Sequence, residues 1–194
     1  SNVIDDLLWS DKDKKSARNN RNVSINRLNN VLENVGDIRI YSDGNFWKIE
    51  VNDDTFVDYF AVSKIMNIPE QEILKNKHII SQLIELLSFG QLIPFTQLEW
   101  IDSYKAKYSN FALDFLSSNL EREEVKSNPK IKLQLANIIS LFDSVNEEAL
   151  NIKCNLLYAM GKKGLAKFIY NNFCNEYESI LGEKYPIPFT KLIQ

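Results

Sequence analysis

KKSARNNRNVSINRLNNVLE, Lys14 to Glu33, runs to a glycine at position 36 and is followed by IRIYSDGNFWKIEV, Ile38 to Val51. In the first stretch Ile25, Leu28, Leu32 and Val35 recur at three- and four-residue steps, with Ala17 and Val31 beside them. That spacing predicts a helix whose apolar seam packs inward and which Gly36 ends. From Ile38 the period shortens to two. Ile38 and Ile40 alternate with Arg39 and Tyr41, and Trp47, Ile49 and Val51 alternate with Lys48 and Glu50. This is the pattern of a β-hairpin, with Asp43-Gly44 at its centre supplying the positive backbone angles of a tight turn.

Away from the seam the helix carries Arg18, Asn19, Asn22, Asn26 and Asn30, again at helical spacing, so these side chains line one exposed edge. Asparagine is a weak helix former, and an ordinary solvated face would favour lysine or glutamate. The chain holds 22 asparagines in 194 residues, yet seven fall between Asn19 and Asn34. Composition bias alone would put about two there. Charge is uneven as well. Lys12, Lys14, Lys15, Arg18, Arg21 and Arg27 face Asp13 alone between residues 12 and 31, a local +5 in a chain of net charge -3, so the remainder carries -8. A cationic patch on an acidic protein points to a polyanionic partner.

Beyond Asp53 the pattern is helical. VDYFAVSKIM predicts a short helix, Pro69 starts a second running to about Phe89, and Gly90 with Pro94 marks a break. A long helix follows, with Leu98, Ile101, Tyr108, Phe111, Ala112 and Phe115 as its core. Asn128-Pro129 opens the next, and two more end near Gly161 and Gly182. Helices joined by short turns suggest an antiparallel array, each pair burying its apolar face on a neighbour. At 44% hydrophobic and 25% charged the chain has the composition of a soluble globular protein. It has neither an apolar run long enough to span a bilayer nor a leader, so the cytoplasm is the expected compartment. Cys154 and Cys174 read as free thiols, Tyr158, Phe168, Tyr170, Phe173 and Tyr177 as interhelix packing, and Glu121, Glu123 and Glu124 as an exposed turn. His78 has no partner at catalytic or metal-ligand spacing. No nucleophile, base, phosphate loop or cofactor motif converges, which argues against an enzyme and implies no cofactor and no metal.

A basic helix followed at once by a hairpin is one way to address duplex DNA, the helix in the major groove and the hairpin near the backbone. Asparagine pairs bidentately with adenine, arginine with guanine or phosphate, and lysines near a helix start suit phosphate oxygens. The candidate DNA-binding residues are Lys14, Lys15, Arg18, Asn19, Asn22, Asn26, Arg27, Asn30, Arg39 and Lys48.

LLWSDKDKKSARNNRNVSINRLNNVLE followed by IRIYSDGNFWKI resembles the second half of an OmpR-type winged helix, as in SARP-type bacterial transcriptional activators. The likeness lies in the Leu8 to Asp11 Leu-Trp-x-Asp turn, Arg27-Leu28, and the Gly44 wing ending in Trp47-Lys48-Ile49. Val57-Asp58 leading into Phe60, Glu99-Trp100, and YAMGKKGLAKFIYNNFCNEYESILGEKYPIP from Tyr158 to Pro188 resemble the bacterial transcriptional activator domain of the same family. The resemblance implies a mainly α protein: a partial, N-terminally truncated winged helix-turn-helix over residues 3–52, with one β-hairpin, then an all-α tetratricopeptide-like array over 53–194. It implies a sequence-specific regulator that binds double-stranded DNA. Its helical domain would contact the transcription machinery or other domains, or self-associate. Arg21 stands where the family commonly has an apolar residue, and Asp43 where a basic one often approaches DNA. The rival reading is a helical-repeat protein-interaction module without DNA binding.

Overall fold

The structure, a computed structural model, describes residues 2–36, 38–44, 46–52 and 54–193. The chain is mainly α with one two-stranded antiparallel hairpin, and it divides into two compact units, Ser1–Val57 and Asp58–Gln194.

The first unit is a helix, a turn, a second helix and the hairpin. Helix α1 spans Asn2–Leu8, and the chain turns through Trp9 to Lys12. Asp13 caps α2, Lys14–Leu32, its carboxylate accepting from the backbone N–H of Lys15 and Ser16 at 3.0 Å each. Strands β1, Ile38–Asp43, and β2, Phe46–Val51, pair with Ile40 opposite Ile49 and Asp43 opposite Phe46. The turn is therefore one residue further on than expected. Asp43 ends β1, Gly44 takes the positive φ of 58°, and residue 45 lies outside the described residues. The inward seam of α2 also differs from the expected one. Ala17 is buried and Ile25 and Leu32 half-buried, whereas Leu28, Val31 and Val35 are exposed. The seam runs instead through Ala17, Arg21, Ile25, Asn29 and Leu32, and the polar members complete it through their bonds, described below.

In the second unit α3, Asp58–Met66, is followed by α4, Glu70–Lys75, and α5, Lys77–Leu87. The single helix expected from Pro69 to Phe89 is thus broken at Asn76. Its extended backbone interrupts the ladder, while its side-chain oxygen accepts from the N–H groups of His78 and Ile79 and caps α5. Helix α6, Glu99–Leu120, buries Ile101, Tyr108, Ala112 and Phe115. Phe111 is half-buried, and Leu98, expected in the core, is exposed at the N-cap. Glu123 and Glu124 open a short helix α7, Glu123–Lys126, rather than a plain turn. Helices α8, Pro129–Phe142, α9, Glu147–Ala159, and α10, Lys163–Leu181, follow with short connections, and α9 packs on both of its neighbours. Gly161 and Gly182 follow the last two long helices with φ of 77° and 75°.

Two apolar clusters hold this unit. The larger centres on Val62, Leu83, Leu87, Leu116, Leu135 and Ile139. The smaller joins Leu150 and Cys154 of α9 to Phe173 and Tyr177 of α10, with Tyr185 and Leu192 from the segment that ends in α11, Phe189–Leu192. Tyr185 sits 5.0 Å from Phe173 and 5.2 Å from Tyr177 between ring centroids, and burial pushes its hydroxyl up to about 12. Tyr158 and Tyr170 pack at the edge of this cluster against Phe189. Phe168, expected to join them, is exposed. No helix among the described residues is long and apolar enough to cross a membrane.

Candidate nucleic-acid interface

Two contacts set the rotation of α2. Arg21 points inward and donates from Nη1 to Asp5 Oδ2 of α1 at 2.6 Å, while its guanidinium lies 5.6 Å from the Trp47 ring of β2. Its side chain is 8% exposed and that of Asp5 15%. One cation thus joins α1, α2 and β2 where an apolar residue was expected. Two turns further on, Asn29 Oδ1 accepts from Ile40 N at 2.8 Å and Asn29 Nδ2 donates to Ile40 O at 2.9 Å. The carboxamide copies the hydrogen bonds of a neighbouring strand and pins the end of α2 to the outer edge of β1.

With Arg21 and Asn29 turned in, Arg18, Asn22, Asn26 and Asn30 turn out. Helix geometry rotates this four-residue row by about 40° per step, so it forms one continuous exposed edge with Lys15 and Asn19 beside it. No side-chain hydrogen bond among the described residues uses the amides of Asn19, Asn22, Asn26 or Asn30; Asn30 contributes only its carbonyl oxygen, to Asn34. Lys14, Lys15, Arg18, Arg27 and Arg39 are exposed and take part in no ion pair among the described residues. Arg27 is turned about 100° from Asn26, off the row.

The surroundings are electrically polarised. One open cleft of about 820 Å³ gathers Lys12, Lys14, Lys15, Arg18 and Asn22 opposite Ser42 and Gly44 at the hairpin tip, with Asp5 and Asp6 of α1 also in its wall, so that the cations outnumber the acids there. A second, of about 890 Å³, places Asn26 and Asn30 beside Glu33, Arg39 and Glu50. The cationic end is therefore the start of α2. On the hairpin, Lys48 is ion-paired with Asp43, so its charge is locally offset. Asp13 is held below the ordinary carboxylate range, chiefly by hydrogen bonds from the hydroxyl and N–H of Ser16.

The sequence brought the exposed row into view but missed its two anchors. Arg21 lies four residues from both Ala17 and Ile25, in phase with the seam, which is the signal of a buried polar position. Its partner Asp5 is sixteen residues away with no periodic sign. Asn29 was indistinguishable by type from its outward-facing neighbours. Among the described residues no group of three His, Cys, Asp or Glu side chains could hold a metal ion. Compared with known protein families, curated proteins and solved structures, the chain matches none. The likeness to SARP-type regulators rests on the residues quoted for it.

Proposed function

We propose that the first unit binds double-stranded DNA through α2 and that the protein is a cytoplasmic, sequence-specific transcriptional regulator of SARP type. The carrying observation is the outward row Arg18, Asn22, Asn26 and Asn30, whose side-chain amides make no hydrogen bond among the described residues, on a helix whose other side is pinned by Arg21 and Asn29. The charge at the start of α2 supports it. Lys14 and Lys15 stand in the first turn, against the positive end of the helix dipole, with the capping carboxylate of Asp13 as the acidic group beside them. Each such cation costs the isolated helix about 0.3–1 kcal/mol, a cost that a phosphate reverses. On this reading Lys14, Lys15 and Arg18 meet phosphates, Asn19, Asn22, Asn26 and Asn30 face base edges, and Arg27, Arg39 and Lys48 flank the contact.

Anisotropy titration of the full chain on a random duplex pool at several salt concentrations, followed by sequencing of the bound fraction, tests it. Lys15→Ala should weaken binding to all sequences and reduce the salt slope by about one counterion. Asn22→Ala with Asn26→Ala should instead change the selected sequence, by about 1–3 kcal/mol at one or two base pairs. Unchanged affinity and preference in that double variant would overturn the assignment. A second reading, a protein-interaction module, is favoured by the helical unit's exposed apolar residues Phe89, Phe95 and Trp100, with Phe95 98% exposed. Absence of any duplex binding at low salt would select it.

A further inference from the structure

Lysine is rarely enclosed, because taking its ammonium out of water is costly unless an anion or several acceptors replace the lost hydration. Lys153 follows Leu150 by three residues, so it shares the face that α9 buries, and it is half-buried there. Its Nζ donates to Ser140 Oγ of α8 at 3.0 Å. That hydroxyl donates in turn to Ala136 O at 3.0 Å, so it orients the ammonium without offsetting its charge. Lys153 takes part in no ion pair among the described residues, and two of its three N–H groups have no acceptor among them. Burial holds the Lys153 ammonium below the ordinary lysine range, and the group opposing this is the neighbouring Cys154, not a carboxylate.

The lysine lines a groove of about 240 Å³ whose walls come from α8, α9 and α10. Leu150 and Phe173, both buried, and Ile169, half-buried, supply its apolar side. Ser144, in the connection from α8 to α9, also lines it, and its hydroxyl has no hydrogen-bond partner among the described residues. The groove carries one acid, the exposed Glu176. We propose that this groove binds a small organic monocarboxylate, whose carboxylate takes the two remaining N–H groups of Lys153 and the Ser144 hydroxyl while its hydrocarbon body lies against Leu150, Ile169 and Phe173. Size and charge both restrict the class. An apolar cavity of about 150 Å³ holds a benzene-sized molecule, so 240 Å³ suits a body of that size with a carboxylate attached. One ammonium matches one negative charge, and Glu176 opposes a second, which disfavours dicarboxylates and phosphate. The apolar side gives a hydrated inorganic anion nothing to contact.

The groove is independent of the DNA reading, because all of its walls belong to residues 140–176 of the second unit. Heteronuclear NMR titration of the full chain with benzoate, with its neutral isostere benzamide, and with phthalate and inorganic phosphate tests the proposal. Benzoate should shift the amide signals around Ser140, Ser144, Lys153 and Ile169 saturably, with a Kd of about 1 mM or below. It should bind at least about tenfold more tightly than benzamide, phthalate or phosphate. Lys153→Met exchanges the charged chain for an apolar one of similar length and should erase the preference for benzoate over benzamide, with the rest of the spectrum unchanged. Ser144→Ala, which lies in a connection and not in a helix, should weaken benzoate by about tenfold and benzamide less. Should Lys153→Met fail to fold, the wild-type comparison of benzoate with benzamide and the Ser144→Ala variant decide. No saturable shift at millimolar benzoate, benzamide or phosphate binding as tightly as benzoate, or an unchanged benzoate affinity in folded Lys153→Met would overturn the proposal.

Discussion

Arg21 brings a full charge to a position that is 6% exposed, and the Asp5 carboxylate 2.6 Å away offsets that charge. Desolvating two ions is costly, so such a pair adds little net stability over an apolar pair of similar shape, but breaking it leaves an uncompensated charge. Arg21→Leu should therefore destabilise the first unit by about 3–5 kcal/mol, and Arg21→Leu combined with Asp5→Leu should recover most of the loss. Amide exchange of the hairpin, followed in both variants, checks this; equal losses would mean that Arg21 acts through contacts other than its ion pair with Asp5. Asn29 makes a different contribution. Asn29→Ala removes two hydrogen bonds to one residue and should cost about 1–3 kcal/mol, read most directly as faster exchange at the Ile40 amide. Asn22→Ala, on the exposed row, should leave stability unchanged. Three asparagines that look alike in the sequence thus separate by measurement into one that builds the fold and two, Asn22 and Asn26, that remain available to a ligand.

Several helix starts in this chain are marked by short polar caps, three of them asparagines. Asn76, Asn128 and Asn146 accept from the first backbone N–H groups of α5, α8 and α9, and Asp13 does the same for α2. Asn128→Ala should cost about 1 kcal/mol, measurable as a lower denaturant midpoint. The Asp13 cap is pH-dependent, and the sign follows from its depressed pKa. Its contribution is fully present above the carboxylate's unfolded value and is lost as pH falls through the lower folded value. Far-ultraviolet dichroism of α2 should accordingly weaken on acidification, and Asp13→Asn should flatten that part of the profile. Long periodic elements such as α6, α8 and α10 were legible from apolar spacing and flanking glycine or proline. The break at Asn76 was not, because Ile73, Ile79, Ile80 and Leu83 keep a helical rhythm across it and nothing in local propensity forbids continuation. The rotation of α2 was only half legible for a related reason. Hydropathy counts Arg21 and Asn29 as outward-facing, whereas their inward position depends on partners distant in sequence.

The two units differ in how much apolar material they bury. Residues 58–194 contain both apolar clusters, with Leu83, Leu87, Leu116, Leu135, Ile139 and Leu150 almost fully enclosed, whereas in residues 1–57 the buried described residues are Ala17 and Arg21. Hydrophobic burial is the main favourable term in folding, so the second unit has the greater stability of its own, and the first leans on a few polar clamps. The sequence-derived boundary at 52/53 and the observed one at 57/58 fall in the same connection, a place where helical periodicity had not yet resumed. Unfolding of the full chain should therefore proceed in two steps, with the first unit lost first. Tryptophan fluorescence separates them, because Trp9 and Trp47 report on the first unit and Trp100 on the second: a chain retaining only Trp47 should show a lower denaturant midpoint than one retaining only Trp100. Coincident transitions would instead mean that the clamps at Arg21 and Asn29 make the first unit as stable as the helical one.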